Sequence, residues 1–289
     1  MKMHLDCPEC FVRQAIRTGQ LLRCPNSVLW DLVKGCGTIL SQIEHEFSPP
    51  QNAVALYDMI SLKVGKEDPF YQLKKESTQQ ALALYPRLKE KIKNSADPLD
   101  TALRLAACGN VVDYGVSSDF DLMKEVEEVF NADFFHYEYE EFAEKLHQVD
   151  WILYIGDNCG ESVFDRMLIE ELGIPVKYAV RGGPIINDVT KEDAVDAGID
   201  QVAEIVSTGC RAPGIVFDWC SDEFKALYDS APMIISKGQG NFETLSDEKR
   251  EIFFIFKIKC KVVASFLDSP LNSMFFGRTK TVALDFNRS

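Results

Sequence analysis

Apolar residues recur at three- and four-residue spacing through Cys10–Leu22, Val28–Glu46 and Asn52–Val64, and the pattern continues over Tyr71–Asn94. This is the period of helices that bury one face. Pro25, Pro49-Pro50, Pro69 and Pro98 punctuate it. Ser95–Leu105 is predicted as a further helix, leading into AACGNVVDYGV, Ala106–Val116. From about residue 110 the rhythm changes. Phe134–Tyr137, Trp151–Ile155, Val176–Val180, Val202–Ser207, Met233–Ser236 and Ile252–Phe256 read as strands. Ser162–Leu172 and Ser221–Asp229 read as helices, and another starts at Lys191–Ala197. Thr190 is placed to cap that helix, with Asp193 three residues on, close to a capping box. Gly173-Ile174-Pro175 ends the helix before it. Strands alternating with helices imply an α/β chain with a mostly parallel sheet covered on both faces. We therefore expect a helical region over residues 1–105 and an α/β core over 106–289. The tail after Leu267 has poor periodicity and receives no element.

The apolar runs matter most for how they end. In WILYIGDNCGE, Trp151–Glu161, the strand stops at a glycine and then presents Asp157, Asn158, Gly160 and Glu161. Open α/β sheets bind ligands beyond the carboxyl ends of their strands. Carboxylate and amide oxygens suit Mg²⁺ or Mn²⁺, and Gly160 permits a turn into a helix whose N-terminus attracts anions. An Asp or Asn that merely caps the strand end is the equal alternative. RGGPIINDVT, Arg181–Thr190, repeats the design with Asn187 and Asp188. Its Arg181, Gly182 and Gly183 offer a guanidinium and backbone N–H groups to phosphate; an ordinary glycine turn competes. In SKGQGNFE, Ser236–Glu243, Lys237 follows a strand within a glycine-rich stretch. It is read either as a phosphate-neutralising lysine or as a solvated one. Gly109–Asp113 is a fourth polar island, where Asn110 either caps a helix or touches substrate.

Charge and composition prune the functions. The chain has 289 residues, of which 46% are hydrophobic, and a net charge of −14. A surface so acidic argues against nucleic acid, whose phosphates need a basic face, and against anionic membranes. No apolar run approaches the roughly 20 residues that span a bilayer, and the first ten residues contain no signal-peptide core. Nine cysteines in such a chain read as thiols, metal ligands or buried hydrophobes, and the expected location is the cytoplasm. No G-x-G-x-x-G follows a strand, and neither a Walker pattern nor a G-x-S-x-G elbow occurs. The four histidines show no metal-ligand spacing.

DNCGE, RGGPIINDVT and KGQGNFE, together with the AACGNVVDYGV island and the N-terminal CPEC, resemble the damage-control phosphatases, also called domain of unknown function 89 or ARMT-like. The likeness is to the prokaryotic branch marked by an N-terminal C-x-x-C, and it extends over about residues 1 to 267. It implies a Rossmann-like α/β/α core under a helical region. It also implies a divalent metal (Mn²⁺, Ni²⁺ or Co²⁺, with Mg²⁺ compatible) and hydrolysis of phosphate monoesters of small metabolites. Its metal ligands fall on Asp157, Asn158 and Asp188, and its phosphate lysine on Lys237. Asn110 and Asp113 fall in the substrate loop. Catalysis is expected from Asp157, Glu161 and Lys237, with substrate also held by Arg181, Gly182 and Gly183. Cys7, Cys10 and Cys260, with His4, are expected either to gather as a second metal site or to serve as a redox pair or buried thiols. Carboxyl methyl transfer from S-adenosylmethionine and non-catalytic binding of metal or phosphate ligands are the competing functions.

Overall fold

The computed structural model describes residues 1–109 and 119–278. Five helices come first: α1 (Cys7–Leu21), α2 (Asn26–Leu40), α3 (Pro49–Val64), α4 (Tyr71–Lys93) and α5 (Pro98–Cys108). Their starts follow from local chemistry. The Ser48 hydroxyl accepts the Gln51 N–H while the Gln51 side chain accepts the Ser48 N–H, a capping box that satisfies two orphan donors. Asp97 caps α5 through the Asp100 N–H.

Next come α6 (Asp119–Phe130), β1 (Phe134–Tyr137), α7 (Tyr139–Leu146), β2 (Ile152–Ile155), α8 (Ser162–Leu172), β3 (Val176–Val180) and α9 (Lys191–Asp196). They are followed by β4 (Glu204–Ser207), α10 (Asp222–Ser230), β5 (Ile234–Lys237), α11 (Gln239–Leu245), β6 (Phe253–Lys257), α12 (Lys261–Phe266) and β7 (Met274–Arg278). The predicted strands are all present. Helices α6, α7, α11 and α12 and strand β7 are additions that the apolar pattern did not assign, with α11 opening inside KGQGNFE at Gln239.

The strands form one sheet in the order β1-β7-β6-β5-β2-β3-β4. All pairs are parallel except β6 with β7. The chain runs outward from β2 through β3 to β4, then returns to place β5 on the other side of β2. That reversal is a topological switch point, where a crevice opens at the carboxyl edge. The ends of β5, β2 and β3 stand side by side there.

Alternate side chains of the strands divide between two cores. Ile152, Tyr154, Val176, Tyr178, Ile235 and Ile255 pack with α4, α5 and α8. Leu153, Ile155, Ala179, Ile234, Phe254 and Phe256 pack with α10, α11 and α12. The result is the α/β/α arrangement expected, with α4 and α5 sharing the sheet's own core. Helices α1 to α3 form a third cluster, which Ile185 enters from the loop after β3. No helix among the described residues is long and apolar enough to cross a membrane.

A buried ion pair pins α4 to α9. Lys74, 2% exposed, reaches Asp68 at 2.8 Å and Asp193 at 2.9 Å. Asp193 also accepts the Thr190 N–H and hydroxyl, completing the predicted capping box. Removing one partner of such a pair leaves the other charge uncompensated. We expect Lys74→Ala to lower the unfolding free energy by about 3 kcal/mol. Urea unfolding followed by circular dichroism checks this, and an unchanged midpoint would refute it.

Candidate active site

The residues of the first two motifs meet through their backbones. Asn158 and Asp188 form an isolated antiparallel bridge. The Val189 N–H donates to the Asp157 carbonyl at 2.8 Å, and the Cys159 N–H donates to the Asn187 carbonyl at 2.9 Å. The end of β2 is thereby stitched to the loop after β3. Within that loop Ile186 adopts φ +46°, a region that β-branched residues rarely occupy and that usually marks a functional constraint. Its neighbour Pro184 accepts the Arg211 Nε–H at 2.8 Å.

Asp157, Asn158 and Asp188 therefore occupy one small volume, all buried. Arg181, 2% exposed, lies against both acids: its Nε donates to Asp188 Oδ2 at 2.7 Å, and its Nη2 stands 3.6 Å from Asp157 Oδ1. Both Nη atoms are buried without a hydrogen-bond partner among the described residues. Burial drives the Asp157 carboxyl well above the usual carboxylate range. Asp188 and Glu161 add to this, while Arg181 and Lys259 oppose it. Burial likewise raises Asp188, against the pull of Arg181.

Lys237 is placed differently from the expected phosphate-contacting lysine. It is the last residue of β5 and is fully buried. Its ammonium donates to the Ala106 carbonyl at 2.9 Å, to Glu161 Oε1 at 2.5 Å and to Asp165 Oδ1 at 2.6 Å. Those three contacts use its three N–H donors. Burial works against its charge, but Asp165 and Glu161 outweigh that and hold its pKa above the ordinary lysine value. Glu161 in turn accepts from the Asn158 amide at 3.2 Å, and the same amide reaches Asp157 at 3.1 Å. Hydrogen bonds therefore run unbroken from Asp157 through Asn158 and Glu161 to Lys237 and Asp165.

The glycines shape this contact. Gly238 has φ +83°, and a Cβ there would overlap the Asp157 carboxylate. Gly182 gives its N–H to the Cys210 carbonyl at 2.8 Å, so that donor is not offered to a ligand as expected. Instead it lets two loops touch, because a Cβ at Gly182 would meet the Gly209 backbone. Gly183 lies against the Arg211 side chain. Gly109 lies against Glu161. Asn110 and Asp113, the expected substrate-loop residues, lie outside the described residues.

Three residues at the site escaped sequence reasoning, and a fourth, Lys259, adds its field from the rim. Asp165 sits one turn beyond Glu161 between Val163-Phe164 and Met167-Leu168, and an acid on that buried helix face was its signal. Tyr154 and Tyr178 are the hydroxyl-bearing members of apolar strands. Lys259, exposed on the loop after β6, lowers the pKa of both Asp157 and Asp188. Its field thus reaches the acids from the solvent side.

The cysteines are all free thiols. Cys7, Cys10 and Cys260 do come within electrostatic reach of one another: burial raises Cys7 most, followed by Glu243, Cys260 and Cys10. Among the described residues, however, no group of three or more His, Cys, Asp and Glu side chains is disposed to hold a metal ion. A second metal at Cys7, Cys10 and Cys260 with His4 therefore finds no support. Cys260 instead caps α12 through the Val263 N–H, and the Cys10 thiol accepts from Gln14. The Asp157, Asn158 and Asp188 set contains only two acids beside an amide. It still fits a hard divalent cation, whose preferred donors are oxygens of this kind.

Residues 3–274 match the damage-control phosphatase ARMT1-like domain. A damage-control phosphatase of Pyrococcus horikoshii is 34% identical over 287 residues, covering 97% of this chain and 99% of that protein. A damage-control phosphatase of Archaeoglobus fulgidus is 32% identical over 279 residues, covering 91% and 94%. The crystal structure of a domain-of-unknown-function-89 family protein from Pyrococcus horikoshii superposes with a TM-score of 0.88 at 32% identity, over 96% of this chain and 99% of that one. The chain belongs to the damage-control phosphatase family.

Two outcomes follow from the geometry. Gly238→Ala should weaken divalent-metal binding about 10- to 100-fold, the usual effect of disturbing a ligand's support; titration calorimetry measures it, and an unaltered affinity would sink the idea. Asp157, its pKa raised on folding, costs the metal-free protein stability as pH rises above the ordinary carboxylate range. Asp157→Asn should therefore melt higher than wild type without metal at pH 7, and the difference should vanish near pH 3. Adding Mn²⁺ should stabilise only the wild type.

Proposed function

We propose that this family member is a metal-dependent phosphatase that hydrolyses phosphate monoesters of small metabolites, sugar phosphates and damaged phosphometabolites among them. The observation that carries this reading is a charge imbalance. Among the described residues, Asp157, Glu161, Asp165 and Asp188 are buried around the ends of β2, β3 and β5, and the buried cations paired directly with them are Arg181 and Lys237. When ionised they leave two negative charges unbalanced, which is the charge of one divalent cation. Asp157, Asn158 and Asp188 would hold it, with Mn²⁺, Ni²⁺ or Co²⁺ as the native ion and Mg²⁺ compatible. Bound there, a divalent cation supplies Lewis-acid stabilisation of phosphoryl oxygens and acidifies water.

The chain's own residues do the rest. Arg181 keeps the two acids aligned and turns its unsatisfied Nη groups to the phosphoryl oxygens. Lys259 meets the ester's negative charge at the rim. Asn110 and Asp113 are assigned to substrate on the family resemblance of their motif. Glu161 takes the proton of the attacking water. The water oxygen forms its bond to phosphorus as the ester P–O bond breaks, the leaving oxygen keeps that electron pair and takes a proton from solvent, and Glu161 returns its proton to solvent. Lys237 acts by fixing Glu161. Nine free thiols suit a reducing, cytoplasmic setting.

Metal-stripped protein assayed on p-nitrophenyl phosphate and on sugar phosphates should release phosphate only after Mn²⁺, Co²⁺, Ni²⁺ or Mg²⁺ is restored. Asp157→Ala should abolish turnover, and Glu161→Gln should reduce kcat on the order of 100-fold, a typical contribution of a general base. Full turnover without metal, or none with any metal, would rule the reading out.

A further inference from the structure

Asp165 lies on α8, one turn after Glu161, and is completely buried. Tyr154 of β2 and Tyr178 of β3 are direct partners in the parallel register. Their rings stack at 5.4 Å between centroids, on the sheet face that α8 covers. The Tyr154 hydroxyl donates to Asp165 Oδ1 at 2.7 Å and the Tyr178 hydroxyl to Oδ2 at 2.8 Å. The Tyr178 oxygen also lies 3.1 Å from the Ser162 hydroxyl, which in turn donates to the Asn158 carbonyl at 3.1 Å. Lys237 adds its bond to Asp165 Oδ1, so both carboxylate oxygens are engaged.

For stability alone this is a poor use of the position. Two acids and a lysine with no exposure pay a desolvation penalty that their attraction at best returns, and apolar residues of similar volume would serve as well or better. What the cluster does achieve is direction. Lys237 is held from three sides, and its short bond fixes Glu161 Oε1. Oε2 is left facing Asn158, beside Asp157.

We infer that Asp165, held by Tyr154 and Tyr178, is a positioning residue that sets the aim of Glu161 through Lys237. Neither Asp165 nor the tyrosines touch the reacting groups; they fix one rotamer of the carboxylate that receives the proton of water. This rests on the phosphatase reading above, and the two can fail separately.

The test uses Mn²⁺-loaded full-length protein with Asp165→Asn, an isosteric change that leaves Lys237 with a single carboxylate. We expect kcat on p-nitrophenyl phosphate to fall about 30- to 100-fold, within the range of a misplaced general base, with KM and the Mn²⁺ affinity within about twofold of wild type. Because Asp165 acts through Glu161, Glu161→Gln combined with Asp165→Asn should be no slower than Glu161→Gln alone. Losses that multiply would show an independent role and overturn the inference, as would an unchanged kcat. If Asp165→Asn does not fold by circular dichroism, the Tyr154→Phe/Tyr178→Phe double variant replaces it, with a roughly tenfold fall in kcat expected on the same scale.

Calorimetry supplies a readout free of turnover. Orthovanadate, which resembles the five-coordinate phosphoryl group, should bind the Asp165→Asn protein more weakly by the same factor as kcat. Inorganic phosphate should bind as in wild type. Equal effects on the two ions would overturn the positioning role. If the wild type turns over no ester, the phosphatase reading fails, and the vanadate-to-phosphate contrast still decides the role of Asp165. A wild type that binds neither ion overturns both.

Discussion

Four buried acids must share two buried bases at the carboxyl edge of β5, β2 and β3, and much of the surrounding structure follows from that constraint. Charge of this density is tolerated only where every group has a fixed partner. Arg181 is accordingly wedged between Asp157 and Asp188, and Lys237 between Glu161 and Asp165. Gly238 lies so close to the Asp157 carboxylate that there is no room for a Cβ. Asn241 bonds the Gly156 and Lys237 carbonyls and so ties the ends of β2 and β5 together.

The helical region is part of that device. Ser77 of α4 is the atom group that a side chain at Gly160 would strike, and Ala106 of α5 supplies one of the three acceptors of Lys237. Ile185 and Ile186 insert from the Asp188 loop into the cluster of α1 to α3. The strained backbone at Ile186 is thus held from a different part of the chain than the acid it presents. Sheet and helices thus set the position of Asp188 beside Asp157 jointly.

The strand ends were legible because each apolar run stops at a polar cluster, and the switch-point rule then says where such clusters gather. The capping box at Thr190 and Asp193 was legible because it is local. What a linear pattern could not supply was partnership. Lys237 looked free beside two glycines, yet its acceptors come from residues 106, 161 and 165. Gly182 looked like an N–H offered to phosphate, yet Cys210 consumes it. Helix α7 is only eight residues of YEEFAEKL, too short to establish a period. Strand β7 is apolar but sits in a tail without rhythm, and only its antiparallel pairing with β6 defines it.

That last strand has a consequence for how the protein is made. Among the described residues β1 lies at the edge of the sheet with β7 as its one neighbour, about 140 residues later in the chain. The chain emerging from a ribosome therefore carries β1 with its ladder groups unpaired while β2 to β6 assemble and the acids and bases of the crevice come together. Pairings so distant in sequence are slow to form, because loop closure precedes any gain from contact. The pairing of β1 with the rest of the sheet depends on the segment Met274–Arg278, the last strand in chain order among the described residues. A chain truncated before that segment would keep the three central strand ends but lose the pairing partner of β1 and leave β6 as an open edge on which another chain could add.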